Sequence, residues 1–209
     1  MNRLPFAIAG VVLAIFFGFH GFTLLTREPA HLQEVPGVED YPLEIGLTWV
    51  YESGPGLQVV RKVVSGTPEH LRWYSMQFDL PLLGRKTLLM RRSRDGVLAR
   101  RDNVEQTIMR FPMRPGDGWT IDFPNEDLAE CTVLQPEEID VLSTKAMASK
   151  VRVVRTNRKT GKKTTDHEWY VRGIGLAKME VTFGLKATFH LIRFERAAAS
   201  EGIPAIPKK

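Results

Sequence analysis

One cysteine, Cys131, stands in the 209 residues. Without a second thiol the chain has no intrachain disulfide and no cysteine-based zinc site. Histidine is sparse too: His20, His31, His70, His167 and His190 are scattered, with no pair at helical spacing and no metal-ligand cluster. No G-x-S-x-G elbow is present, and no serine–histidine spacing marks a nucleophile. Gly173-Ile174-Gly175 is a lone G-x-G that runs into the alternating "KMEVTF", a strand pattern, so it lacks the helix N-terminus of a phosphate loop. The sequence therefore names no catalytic residue, no cofactor and no metal ligand, and a non-enzymatic protein is expected. Charge of one sign is also in short supply. Lys and Arg number 29 against 24 acids, a net +5 with pI ≈ 9.4. That excess favours acidic surfaces such as headgroups but is too diffuse for nucleic acid, which is excluded as a partner.

Long apolar runs are absent after residue 25, and one fills the chain before it. "LPFAIAGVVLAIFFGFHGFTLL", residues 4–25, carries no charged side chain. At about 1.5 Å per residue its 22 residues match the roughly 30 Å hydrocarbon core of a bilayer. The expected reading is an uncleaved signal-anchor over 1–25. A cleaved secretory signal, releasing the domain to the periplasm, is the alternative, although its apolar region is usually about 7–15 residues. A lipoprotein signal fails because no cysteine lies near the end of the run. Arg3 precedes the helix, and Arg27 after it is next to Glu28. The positive-inside tendency thus puts the N-terminus in the cytoplasm and the C-terminal domain outside, in a single-pass inner-membrane topology. Gly10, Ala14 and Gly18 share one helix face and form a candidate surface for weak homodimer pairing. Residues 26–40, "TREPAHLQEVPGVED", are a juxtamembrane linker, and 197–209 a flexible tail.

Between them, 41–196 reads as strand. "HLRWYSMQFDL" alternates with Tyr74, Met76, Phe78 and Leu80 on one face. "KMEVTF" sets Met179, Val181 and Phe183 opposite Lys178, Glu180 and Thr182. Asp95-Gly96 signals a two-residue hairpin, and "TNRKTGKKTTD" a polar hairpin tip. Helix is expected only near 125–130 and around "PEEID". In "DHE", Asp166 and Glu168 point one way and His167 the other, which suits a surface hairpin. Cys131 reads as a small core residue. Turns every 8–15 residues predict a mainly β fold: a curved antiparallel meander or half-open barrel behind one transmembrane helix.

Two phrases nearly repeat: "YPLEIGLTW" at 41–49 and "FPMRPGDGW" at 111–119. Proline precedes a strand rather than sitting in a central ladder, Gly46 and Gly116 supply a turn, and Trp49 and Trp119 lead strands. The pair is expected to be architectural, each tryptophan covering the end of a sheet. The sharper alternative makes Trp49, Trp119, Trp73 and Trp169 ligand-facing aromatics.

"YPLEIGLTWVYE" and "EWYVRGIGLAKME" resemble the yPLxxGxxWxY and WYxxGxGLxK segments of a group of uncharacterised exported bacterial β-rich envelope proteins. The likeness covers roughly 41–196. One departure is "LST" at 142–144, where that group has Pro-Ala-Gly. What the resemblance implies is a curved antiparallel sheet of the cell envelope, similar in outline to half-barrel lipoprotein carriers, with no activity or catalytic residue attached.

Two basic clusters complete the reading: Arg91, Arg92, Arg94, Arg100 and Arg101 around one hairpin, and Arg155, Arg158, Lys159, Lys162 and Lys163 around another. Charge at hairpin tips keeps sheet edges soluble. If both tips face one way, they are candidate contacts for a membrane surface, each cation contributing about 1 kcal/mol. The expected function is a membrane-anchored envelope protein whose β domain binds other envelope components, protein or lipid, or supports an assembly. The alternative is lipid or lipoprotein handling on a concave face.

Overall fold

Side-chain alternation carries the architecture. In Tyr74–Leu80, Met76, Phe78 and Leu80 are buried while Ser75, Gln77 and Asp79 are half-exposed, so one face of the strand turns inward and the other out. The computed structural model describes residues 41–54, 57–66, 73–80, 84–124, 127–183 and 185–196. The expected anchor, linker and tail, with Gly10, Ala14 and Gly18, lie outside the described residues. Among those described, no helix is long and apolar enough to cross a membrane.

The strands are β1 (Leu47–Glu52), β2 (Gln58–Gly66), β3 (Tyr74–Leu80), β4 (Gly84–Ser93), β5 (Gly96–Arg101), β6 (Val104–Arg110), β7 (Gly118–Ile121), β8 (Leu128–Val133), β9 (Glu137–Val141), β10 (Thr144–Thr156), β11 (Lys163–Val171), β12 (Gly175–Phe183) and β13 (Leu185–Arg196). They form one 13-stranded antiparallel sheet in the order β6-β5-β4-β3-β2-β1-β13-β12-β11-β10-β8-β7, with β9 following β8 along β10. The sheet curls until its two ends meet. There β6 and β7 are joined by side chains instead of a ladder. The Gln106 amide donates to the Asp122 carbonyl at 2.8 Å and accepts from the Asp122 N–H at 3.0 Å. The Trp119 indole donates to the Ile108 carbonyl at 3.2 Å, and Arg110 to that of Gly118 at 3.4 Å. The barrel is therefore nearly closed, where the sequence suggested a half-open one.

The repeated phrases begin two equivalent halves. Adding 70 carries residues 46, 49, 61 and 63 onto 116, 119, 131 and 133. The Gly46 N–H donates to the Val63 carbonyl at 2.8 Å, and the Gly116 N–H to that of Val133 at 2.9 Å. Both glycines have positive φ, 90° and 94°. Trp49 lies opposite Arg61 in the first hairpin, and Trp119 opposite Cys131 in the second. The correspondence extends outward: β3 matches β10, because Val63 faces Met76 as Val133 faces Val151. Likewise β4 matches β11, with Met76 facing Leu88 as Val151 faces Glu168. One junction between halves, β1 with β13, is a backbone ladder; the other, β6 with β7, is the side-chain seam.

Three local expectations change. Residues 125 and 126 lie outside the described residues, and the rest of the stretches read as helix lead into or form strands β8 and β9, because each finds a ladder partner on β10; no helix occurs among the described residues. The turn expected at Asp95-Gly96 is centred one residue earlier, at Arg94-Asp95. Gly96 opens β5 with φ 151°, and a Cβ there would stand 1.9 Å from the Met109 carbonyl oxygen. That close approach of backbones is what demands glycine. Paired left-handed residues occur instead at Asp102-Asn103 and at Leu142-Ser143, the latter inside the divergent "LST". Asp and Asn tolerate that conformation, whereas Leu142 at φ 47° is unusual.

Candidate functional site

The inward faces meet in a lumen that is largely filled. Trp49, Tyr51, Met76, Met90, Leu176 and Phe189 are essentially inaccessible. Tyr41 packs into it from the chain entering β1, its ring 6.2 Å from that of Trp49 and nearly parallel. Trp49 also lies 5.4 Å from Phe194 and donates to the Ile174 carbonyl at 2.7 Å. Among the described residues, the lumen keeps a cavity of about 110 Å³ lined by both halves.

Polar residues converge there. Arg61 on β2 points inward between Val59 and Val63, its guanidinium 5.1 Å from the Tyr51 ring and 5.3 Å from that of Phe78. It is 8% exposed, and its Nε has no hydrogen-bond partner. Burial opposes its charge, yet Tyr51, Tyr41, Tyr170 and Glu168 around it hold its pKa above the ordinary value. Arg101, at the end of β5, sits 5.0 Å over Phe123. Burial first, and then the neighbouring charge of Arg155, lower its pKa to about 10.

Carboxylates in this region are held by donors in the wall. Arg155 on β10 donates to Asp166 at 3.0 Å and lies 3.9 Å from Glu168. Asp166 also accepts the Thr182 N–H at 2.7 Å. The Tyr170 hydroxyl donates to Glu168 at 2.5 Å, and Asn157 to Asp127 at 3.0 Å. The "DHE" acids, expected on a surface, are thus turned inward: Asp166 is 4% exposed, while His167 faces out. Their partner Arg155 lies across the β10–β11 hairpin, which a local reading of three residues does not include.

The four tryptophans separate into two pairs, and none lines the cavity. Trp49 and Trp119 belong to the inner core. Trp73 and Trp169 are buried as well, Trp169 within the same core cluster, and each is covered by two cations. Arg91 and Arg100 stand 5.1 and 4.4 Å from the Trp73 ring, bridged by Glu105 at 3.0 and 2.5 Å. Lys150 and Lys178, its neighbours on adjacent strands, stand 4.8 and 4.2 Å from the Trp169 ring. Cations stacked on an indole and screening it from water are worth about 0.5–1 kcal/mol each at exposed sites.

Strand direction separates the basic clusters. Every neighbouring pair is antiparallel, so the β4–β5 tip lies on the rim where β1 begins and the β10–β11 tip on the opposite rim. One flat surface therefore cannot meet both. Arg91 is engaged by Glu105, Arg92 is half-buried with a pKa lowered chiefly by burial, and Arg94 is exposed at its tip. On the far rim Arg158 pairs with Asp122, while Lys159, Lys162 and Lys163 are exposed. Cys131 is buried opposite Trp119, and burial pushes its thiol pKa up to about 12. It is no nucleophile at neutral pH.

Fold and site together define an all-β, antiparallel, nearly closed barrel with a small polar lumen. No known protein family and no curated protein matches the chain. Two crystal structures are similar in outline. One is a presumed exported protein with a YmcC-like fold from Bacteroides fragilis, 16% identical, covering 75% of this chain and 98% of its own, with a TM-score of 0.49. The other is a presumed lipoprotein from Parabacteroides distasonis, 13% identical, covering 78% and 100%, with a TM-score of 0.45.

Proposed function

We propose that this protein is a non-enzymatic, membrane-tethered envelope module that works through its outer surface, binding other envelope components or supporting their assembly. The observation carrying this reading is the filled lumen. A cavity of about 110 Å³ is roughly a third of the smallest ordinary ligand pocket, about 300 Å³. An acyl chain cannot be housed there without displacing buried aromatics. Lipid carriage in the interior, the alternative raised by the sequence, is disfavoured on that ground. The tether rests on the apolar stretch 4–25, and the outward placement of the domain on the charges flanking it.

Two measurements test the reading. With the full chain in cells, a reporter that works only outside the cytoplasm, fused after Lys209, is expected to be active, and the chain to resist carbonate extraction from membranes. A silent reporter or a freely extracted chain would overturn the tether. A fluorescent fatty-acid probe is expected to show no saturable enhancement with the purified full chain. Saturation at one probe per chain would restore the carrier reading.

A further inference from the structure

Both ends of the described barrel leave from one rim. Leu47, which opens β1, pairs with Arg196, which closes β13, so the chain enters from residue 41 and departs after 196 on the same side. The tether proposed above joins there. Between the apolar stretch and residue 41 stand the 15 residues 26–40, whose reach is about 50 Å at most. The opposite rim is a strand length further, about 30 Å for the nine residues of β11. So short a connection presents the near rim to the bilayer at an effective concentration on the order of millimolar, and even a weak contact there is populated.

The same rim carries apolar side chains that the barrel core does not cover. Among the described residues three large apolar side chains are exposed, Ile45, Met147 and Ile192. Ile45 lies in the chain entering β1, beside Gly66 at the end of β2, and is 61% exposed. Met147, equally exposed, is on the part of β10 that extends past β11 and is paired only with β9. β9 comes close to β13, which brings this hairpin towards β1. Ile192 sits on β13 as that strand approaches the rim. Phe111 and Met113 between β6 and β7, and Leu142 at the β9–β10 tip, are half-exposed on the same rim. Two turns of the opposite rim, Asp102-Asn103 and 157–162, are polar throughout.

Charge does not account for this bias. Arg94 is followed by Asp95, Lys145 pairs with Glu138 at 3.0 Å and Arg196 with Glu44 at 3.1 Å. Cations and acids of the rim are thus matched, and a strongly charged partner finds no field of one sign. A headgroup layer accepts apolar tips among charges of both signs. We propose that this rim lies on the bilayer that holds the tether, with Ile45 and Met147 seated among the lipid headgroups and the β10–β11 tip directed away. The contact rests on the tether and adds an orientation to it.

The test uses the full chain reconstituted in dioleoylphosphatidylcholine vesicles that carry a lipid spin-labelled near its headgroup. A nitrobenzoxadiazole fluorophore is attached at Lys145→Cys or at Lys159→Cys, one on each rim, while the buried Cys131 stays unlabelled. In chains that float with the vesicles, the fluorophore at 145 is expected to be quenched about twofold or more and that at 159 to be unchanged, as seating of one rim requires. High salt is expected to leave the quenching in place, because the contact is apolar. Ile45→Ser combined with Met147→Ser is expected to restore most of the emission at 145. Should that pair fail to fold, the contrast between 145 and 159 decides. A floating chain with no quenching at 145, equal quenching at both rims, or quenching unmoved by the serine pair overturns the contact and leaves the tether standing. Blue-shifted emission at 145 without quenching assigns the rim to a second copy or another protein and overturns the lipid contact too. A chain that does not float overturns the tether and the contact together.

Discussion

Arg155 points into the lumen, and its acid neighbours tie it to the fold. Arg155 has an acid at hydrogen-bond distance and a second close by. Replacing it by Ala leaves Asp166 and Glu168 buried without their cation, so a loss of about 3 kcal/mol is expected by chemical denaturation. Cys131 gives a pH signature. Its thiol titrates near 12 in the folded chain against an ordinary 9, so the neutral form is favoured on folding. Its contribution is complete below pH 9 and is lost as pH rises from 9 towards 12. Relative to Cys131→Ala, the wild type is expected to lose about 1.4 kcal/mol per pH unit above 9, read from denaturant midpoints.

At the scale of elements, the weak point is the seam between β6 and β7. Elsewhere each strand is held by a ladder, but here the amide of Gln106 supplies two of the hydrogen bonds. Gln106→Ala is expected to cost about 1–2 kcal/mol and to speed amide exchange in β6 and β7. The pseudo-equivalent β1–β13 ladder should stay protected, and uniform exchange across both junctions would show that the seam is no local hinge. Much of the strand pattern was legible, because alternation in "YSMQFDL" and the proline–glycine–tryptophan phrases are local signals. The strands at 128–133 and 137–141 were not, since their character comes from pairing with β10. Arg155 reads from the sequence as one of the hairpin-tip cations, and "VVRKVV" gives no local sign that Arg61 faces inward. A charge at such a position reads from sequence as a rim or an edge until strands distant in sequence bring Tyr51, Phe78 and Asp166 around it.

For the whole molecule, the repeated phrases mark two copies of one unit closed into a single barrel, packed by its own aromatics. The proposed function accordingly falls to the outer wall and the rims. The central claim is that the interior is occupied by the protein itself. Native mass spectrometry of the full chain, released from detergent, tests it most directly. The expected spectrum shows the bare chain. A lipid retained at one per chain and released only on unfolding would contradict the account.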